Sequence, residues 1–68
     1  MNIEINLYYD VSRPKQAQVR KPRFDGTEDA CHPLRQIGDI WNNIVRYRGV
    51  FPTLAEAKRA ASEYWRAP

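Results

Sequence analysis

The chain has 68 residues, with 11 lysines and arginines, 8 aspartates and glutamates, and a formal net charge of +3. This length predicts one small domain, residues 1–68, which on folding buries only about 60% of the surface that its unfolded chain exposes. The single cysteine excludes a disulfide framework and favours a reducing, cytoplasmic compartment, and the short apolar runs argue against a membrane span and a signal peptide.

Apolar and polar residues alternate strictly over Asn2–Val11. The apolar positions are Ile3, Ile5, Leu7, Tyr9 and Val11. A period of two is typical of an antiparallel strand with one buried face. We therefore predict a strand here, which ends before Pro14 because proline cannot donate a ladder hydrogen bond.

A second, weaker strand is predicted over Gln16–Phe24, with Ala17 and Val19 facing the core. Pro22 favours an edge position for this strand, again because it lacks a donor. The dipeptide Asp25–Gly26 then predicts a turn.

The segment Pro33–Tyr47 is compatible with two structures. Helical spacing is satisfied by Leu34, Ile37, Trp41, Ile44 and Val45. Gly38, the pair Asn42–Asn43 and several β-branched residues oppose a helix, each at a cost of a few tenths to about 1 kcal/mol. We favour a short turn over Leu34–Ile37 that Gly38 closes, followed by a strand over Ile40–Arg48.

The last segment carries the signals of a capped amphipathic helix. Thr53 and Glu56 have the spacing of a capping box, and Phe51 is placed to cover the first turn. One helical stripe then contains Leu54, Ala57, Ala61, Tyr64 and Trp65. Together these elements predict an α+β fold: a small antiparallel sheet of two or three strands with one C-terminal amphipathic helix packed on it.

The chain shows no pattern that predicts catalysis. Cys31 and His32 are neighbours, so on an extended chain they point to opposite sides, and neither has a companion at metal-ligand spacing. The glycines are isolated, so there is no phosphate-binding loop. We predict no enzyme activity, no cofactor, no metal site and no small-molecule substrate; an enzyme would require Cys31 or His32 to be essential.

A basic and aromatic surface is the remaining functional candidate. Five cations fall between residues 13 and 23 with no acid among them, and Arg46 and Arg48 flank Tyr47 on the opposite face of their strand. Guanidinium groups bind phosphates or carboxylates through paired hydrogen bonds. Trp41 and Tyr64 are expected in the core, as aromatic residues of so small a domain usually are. The predicted partner-binding residues are Arg13, Lys15, Arg20, Lys21, Arg23, Arg46 and Arg48.

The junction IVRYRGVFPTLAEAKRAASEYW resembles the arm-type DNA-binding domains at the front of phage integrases. The matching positions are Phe51, Thr53, Glu56 and Ala57. In that family a three-stranded sheet enters the major groove, which implies DNA contacts from Arg46 and Arg48, together with Arg20. The acidic insertion Asp25–Asp39 departs from the family pattern, and its charge would repel phosphate.

In size, self-containment and absence of catalytic motifs, the chain also resembles the anti-CRISPR inhibitors that phages carry. This resemblance implies a stoichiometric inhibitor that occludes a functional surface of a nucleic-acid-handling protein complex through the basic and aromatic face. A basic segment followed by an acidic one suits a protein interface, so we place a protein partner first. The alternative is a small DNA- or RNA-binding module.

Overall fold

A computed structural model describes residues 1–15 and 22–67 of the chain. The described residues form four strands and one helix: β1 (Asn2–Asp10), β2 (Arg23–Thr27), β3 (His32–Trp41), β4 (Ile44–Phe51) and α1 (Leu54–Arg66). The strands make one antiparallel sheet in the order β2-β1-β4-β3. The predicted α+β class with a C-terminal helix is confirmed, but the predicted two or three strands are too few.

Strand β1 lies in the interior of the sheet and supplies the centre of the core. Ile5 is fully buried and Leu7 is 1% exposed, as the alternation predicts. The prediction fails at Val11, which lies in a turn and is 43% exposed. The strand ends at Asp10 because the carboxylate of Asp10 accepts hydrogen bonds from the backbone N–H and the hydroxyl of Ser12, which turns the chain.

Strand β2 shares Arg23 and Phe24 with the predicted second strand. Most of the predicted strand Gln16–Phe24 lies outside the described residues, and β2 starts at Arg23. The predicted turn at Asp25–Gly26 is wrong, because both residues pair with β1. Pairing along an existing strand edge satisfies their backbone groups, and this gain overrides the local turn preference.

The predicted helix over Pro33–Tyr47 and the predicted turn over Leu34–Ile37 are wrong, because the segment contains a β-hairpin. The predicted strand Ile40–Arg48 is correct in its second part, since Ile44–Arg48 belongs to β4. Strands β3 and β4 are joined by Asn42 and Asn43, both of which have positive φ (48° and 64°). This is the backbone of a two-residue type I′ loop, and asparagine tolerates it better than most residues. Gly38, with φ of 71°, lies where the register between β3 and β4 shifts, so it belongs to an irregular strand and does not close the predicted turn.

Helix α1 begins as predicted, because the Thr53 hydroxyl accepts a hydrogen bond from the Glu56 backbone N–H at 3.2 Å. The helix packs on β1 and β4 through Ala57 and Ala61, which are 0% and 5% exposed. Leu54 is 44% exposed, contrary to its place in the predicted stripe. The reason is its position in the first turn, past the last paired residue of β4.

Small residues let the layers approach closely. At Gly49, a Cβ atom would lie 2.8 Å from the ring of Phe51 and 3.1 Å from the backbone nitrogen of Leu34. Partly buried residues complete the core around Ile5, Leu7 and the helix alanines: Ile3, Phe24, Leu34, Tyr47, Phe51, Tyr64 and Trp65. Tyr64 therefore belongs to the core as predicted, whereas Trp41 is 76% exposed and does not.

Candidate protein-binding site

The helix covers one face of the sheet, and we call the opposite side the open face. Directly paired residues of antiparallel strands share a face. Asn6 pairs with Arg48 and Tyr8 pairs with Arg46, so these four side chains lie together on the open face. The prediction that Arg46 and Arg48 share a face opposite Tyr47 is confirmed, since Tyr47 packs against the core.

Arg48 is held by two carboxylates of the same chain. Its Nη2 atom donates to Glu4 Oε2 at 3.1 Å and also to the carboxylate of Asp29, while its Nη1 atom lies 3.4 Å from His32 Nε2. The hydrogen bond from Arg48 lowers the pKa of Glu4 to about 2, and a hydrogen bond from Asn6 adds to this effect. The same bond to Glu4 raises the pKa of Arg48 above its ordinary value.

Asp29 belongs to the connection between β2 and β3, which crosses the sheet from one edge to the other. Three strand spacings amount to about 14 Å, and the five residue steps from Thr27 to His32 reach at most about 17 Å. The connection must therefore run nearly straight. Its contacts include the bond from Arg48 and one from Asn2 Nδ2 to the Asp29 carbonyl oxygen at 2.8 Å. This end of the open face is thus covered and its charges are paired.

Arg46 has a neutral partner instead. Its Nε and Nη2 atoms donate to Asn6 Oδ1 at 3.1 and 2.8 Å. Asn6 is 6% exposed and donates in turn to Glu4 Oε1 at 2.7 Å. Cross-strand neighbours on the two sides of Arg46 are Tyr8 and Ile37. Towards the turn the open face therefore carries apolar and aromatic groups around Arg46, together with Asp10, which pairs with Ile44.

Exposed apolar side chains concentrate at this second end. Among the described residues, six large hydrophobic side chains are exposed, and four of them lie near the β3–β4 turn: Tyr8 (42%), Val11 (43%), Ile40 (55%) and Trp41 (76%). Val11 belongs to this group because its backbone N–H donates to the Asn43 carbonyl oxygen at 2.8 Å. We call these four residues, with Arg46, the hairpin-end surface.

The predicted basic residues are distributed over different environments. Arg48 is enclosed by acids, and Arg23 donates to Asp25 at 2.9 Å. Arg13 is exposed in the β1–β2 connection, near the hairpin-end surface. Arg20 and Lys21 lie outside the described residues. The structure therefore places Arg46 and Arg48 at neighbouring open-face positions of β4 and Arg13 near the hairpin end, and it pairs Arg23 and Arg48 with acids of the chain.

Lys15 has a structural role at the C-terminal end of α1. Its Nζ atom donates to the Tyr64 carbonyl oxygen at 3.2 Å and lies 4.2 Å from the centre of the Tyr64 ring. A cation at a helix C-terminus interacts favourably with the helix dipole. Burial raises the pKa of the Tyr64 hydroxyl to about 12, and the neighbouring tyrosines Tyr9 and Tyr47 add to this rise.

The remaining surfaces of the described residues offer little chemistry. Cys31 is exposed, and His32 Nδ1 lies 2.9 Å from the Pro33 carbonyl oxygen. No cluster of histidine, cysteine and acidic residues in the described part of the chain has the makings of a metal site. A groove of about 400 Å³ between α1 and β3 is lined by Pro33, Leu34, Phe51, Ala60, Glu63 and Tyr64. Its lining is apolar and aromatic apart from one carboxylate.

Sequence reasoning missed the four apolar members of the hairpin-end surface: Tyr8, Val11, Ile40 and Trp41. Tyr8 carried a usable signal, because it falls on the polar side of the β1 alternation. For Trp41 the signal was the Asn-Asn pair that follows it, which places a tryptophan beside a tight turn.

Comparison of the chain with protein-family models, curated proteins and solved structures finds no match. The helix of the described region is too short and too polar to cross a membrane.

Proposed function

We propose that this chain is a non-enzymatic binding protein that attaches to another protein through the hairpin-end surface. The observation that carries the proposal is Trp41, 76% exposed on the sheet face without a helix, one same-face step towards the turn from the Tyr8–Arg46 pair. Tryptophan, tyrosine and arginine are the residues that most often dominate binding energy at protein interfaces. Its action is that of a stoichiometric inhibitor, of the kind represented by phage anti-CRISPR proteins, which occludes a surface of a nucleic-acid-handling complex.

The charges of the open face favour a protein partner over a phosphate backbone. The cations in register on this face are Arg23, Arg35, Arg46 and Arg48. They are balanced by the carboxylates Glu4, Asp10 and Asp25 on the strands and by Asp29, which is bonded to Arg48. Binding to a nucleic-acid backbone draws its affinity from cations that neutralise phosphates. These described residues of the face amount to four cations and four carboxylates, so they supply little of this affinity.

The size of the chain is compatible with occlusion. A standard interface buries about 800 Å² on each partner, and the chain exposes 4801 Å² in total. One end of the molecule therefore has enough area for a specific complex, while the helix remains outside to block access by a competitor.

A second candidate is a nucleic-acid-binding module, and one observation favours it. Arg13 lies two residues after Val11, whose backbone N–H bonds to Asn43 of the hairpin turn, so one cation of this connection stands at the hairpin end. Aromatic rings stack on exposed bases, and nearby cations contact the backbone of a single strand. For this candidate, affinity falls steeply with salt, with a log–log slope of about −0.7 for each phosphate that is neutralised on a single strand.

The test is affinity capture from the native cell with the immobilised chain, with and without nuclease. The proposal expects the chain to capture a protein partner even after nuclease treatment. The Leu54→Ala variant should still capture this protein, and the Trp41→Ala variant should not. Leu54 is the matched control because it is an exposed hydrophobic residue far from the hairpin end. Capture that disappears with nuclease supports the second candidate, and capture that is indifferent to Trp41→Ala contradicts the proposed surface.

A further inference from the structure

Two arginines on the same face of one strand have different electrostatic environments. Arg48 donates to the carboxylates of Glu4 and Asp29. The hydrogen-bond partner of Arg46 among the described residues is the neutral carboxamide of Asn6. The positive charge of Arg48 is therefore matched within the chain, whereas that of Arg46 is not matched by any directly bonded carboxylate.

The guanidinium of Arg46 is also held in a defined orientation. Asn6 Oδ1 accepts from both Nε and Nη2, and the carboxamide of Asn6 is itself fixed by its bond to Glu4. A guanidinium has five N–H donors, and these contacts use two of them. Three donors remain, two on Nη1 and one on Nη2. One donor from each of these nitrogens forms the edge that binds a carboxylate through two parallel hydrogen bonds.

The residues around Arg46 determine how strongly its charge interacts once a partner covers it. Tyr8 and Ile37 stand on its two sides, and Trp41 pairs with Ile44 one step nearer the turn. Covering these side chains removes water from the arginine. A buried charge without a counter-charge is strongly unfavourable, and a charge-assisted pair in a drier site is stronger than one in water. A partner carboxylate bonded directly to the guanidinium therefore stabilises the covered arginine.

We propose that Arg46 is the receptor for an aspartate or glutamate side chain of the protein partner, at the centre of the hairpin-end surface. The inference rests on the proposed function and specifies its partner. A carboxylate is the anionic side chain that a protein partner supplies, and its two oxygens match two parallel N–H donors of the remaining guanidinium edge. The partner surface is accordingly acidic, with an apolar pocket for Trp41.

The receptor can be tested without the partner, by NMR titration of the arginine Nε–Hε signals and the Trp41 indole signal. The probes are phenylacetate, phenylphosphonate and neutral benzyl alcohol. We expect phenylacetate to shift the Arg46 and Trp41 signals in a saturable way at millimolar concentration. Benzyl alcohol should leave the Arg46 signal in place, and phenylphosphonate should bind no more tightly than phenylacetate.

Variants separate a receptor from general attraction to cations. Arg46→Gln should abolish the shift of the Trp41 signal by phenylacetate, and Arg46→Lys should weaken it several-fold because lysine keeps the charge but lacks the fork. Arg59→Gln, on an exposed position of the helix, should change nothing. Circular dichroism of each variant establishes that it is folded. Equal shifts at Arg46 and Arg59, or a tenfold preference for phenylphosphonate, overturn the proposal.

Binding of the captured protein to the variants then shows whether this inference or the proposed function on which it rests has failed. Arg46→Gln should weaken that complex at least tenfold. If capture depends on Trp41 and not on Arg46, the receptor is wrong and the binding function stands. If phenylacetate binds at Arg46 but the chain captures no protein in a Trp41-dependent way, the binding function is wrong and the receptor stands.

Discussion

Two leucines of the chain differ sharply in burial and give a quantitative test of the fold. Leu7 is 1% exposed beneath the helix, paired across the strands with Tyr47, whereas Leu54 is 44% exposed in the first helical turn. The substitutions Leu7→Ala and Leu54→Ala remove the same three carbon atoms. Any difference in their effect on the free energy of unfolding therefore reports the difference in environment.

The expected magnitudes follow from the burial of each side chain. Three buried carbons at about 0.8 kcal/mol each account for roughly 2.4 kcal/mol, and the cavity left at Leu7 raises the loss to about 3 kcal/mol. At Leu54 about half of the transfer term applies and no closed cavity forms, so the loss is about 1 kcal/mol. A chain of this size has a free energy of unfolding of about 3–10 kcal/mol. Leu7→Ala therefore removes a large share of it.

Urea unfolding followed by circular dichroism at 222 nm measures both losses. With an m-value of about 1 kcal/mol per molar urea, the midpoint should fall by about 3 M for Leu7→Ala and by about 1 M for Leu54→Ala. If Leu7→Ala is unfolded without urea, Ile5→Val provides a milder core change, with an expected loss of about 0.5–1.5 kcal/mol. Equal losses at the two leucines, or a larger loss at Leu54, would refute the packing described above.

Three further predictions concern the charged network and the backbone. The pKa of Glu4 is about 2 in the folded chain, against an ordinary value of 4.5. Its bond to Arg48 therefore stabilises the fold fully above pH 4.5 and progressively less as the pH falls towards 2. In thermal unfolding from pH 2 to 6, the stability of Glu4→Gln should depend less on pH than that of the unsubstituted chain, and an unchanged dependence would contradict this. Asn43 has φ of 64°, so Asn43→Gly should be tolerated. Asn43→Val should lower the free energy of unfolding in urea by about 1–2 kcal/mol. The reverse order of the two variants would exclude the tight turn. Gly49→Ala should lower the midpoint of thermal unfolding, because the new methyl group meets the Phe51 ring and the β3 backbone. Gly26→Ala is the control, because its methyl group meets only the flexible side chain of Met1. Equal midpoints for the two variants would contradict the close packing at Gly49.

The elements that could be predicted are those whose signals are local. The alternation that places Ile5 and Leu7 in the core repeats within one strand, and the cap at Thr53 depends on residues within one turn. Such patterns determine local structure wherever the rest of the chain lies. They identified the first strand, the helix and the α+β class.

The hairpin of β3 and β4 could not be read in the same way. Its turn consists of Asn42 and Asn43, whereas the usual signal for a type I′ loop has glycine in the second position. Gly38 looks like the end of a turn in sequence, but it lies at a register shift in a strand. The third strand is also an edge strand, so its apolar pattern is weak and resembles that of a turn.

The candidate site depends on pairs that are distant in sequence. Arg48 bonds to Glu4, 44 residues away, and to Asp29, 19 residues away. The strand order brings these groups together, and no local pattern indicates it. The basic residues therefore looked equivalent in sequence, although the fold neutralises Arg48 and leaves Arg46 with a neutral partner.

The most direct test of the central claim is a map of the amide and indole signals of the labelled chain in complex with its captured protein. If the hairpin end is the binding surface, the signals of Tyr8, Trp41 and Arg46 should shift or broaden, and those of Lys58 and Ser62 on the exposed side of the helix should stay in place. Shifts confined to the helix, with the Trp41 indole signal unchanged, would contradict the claim.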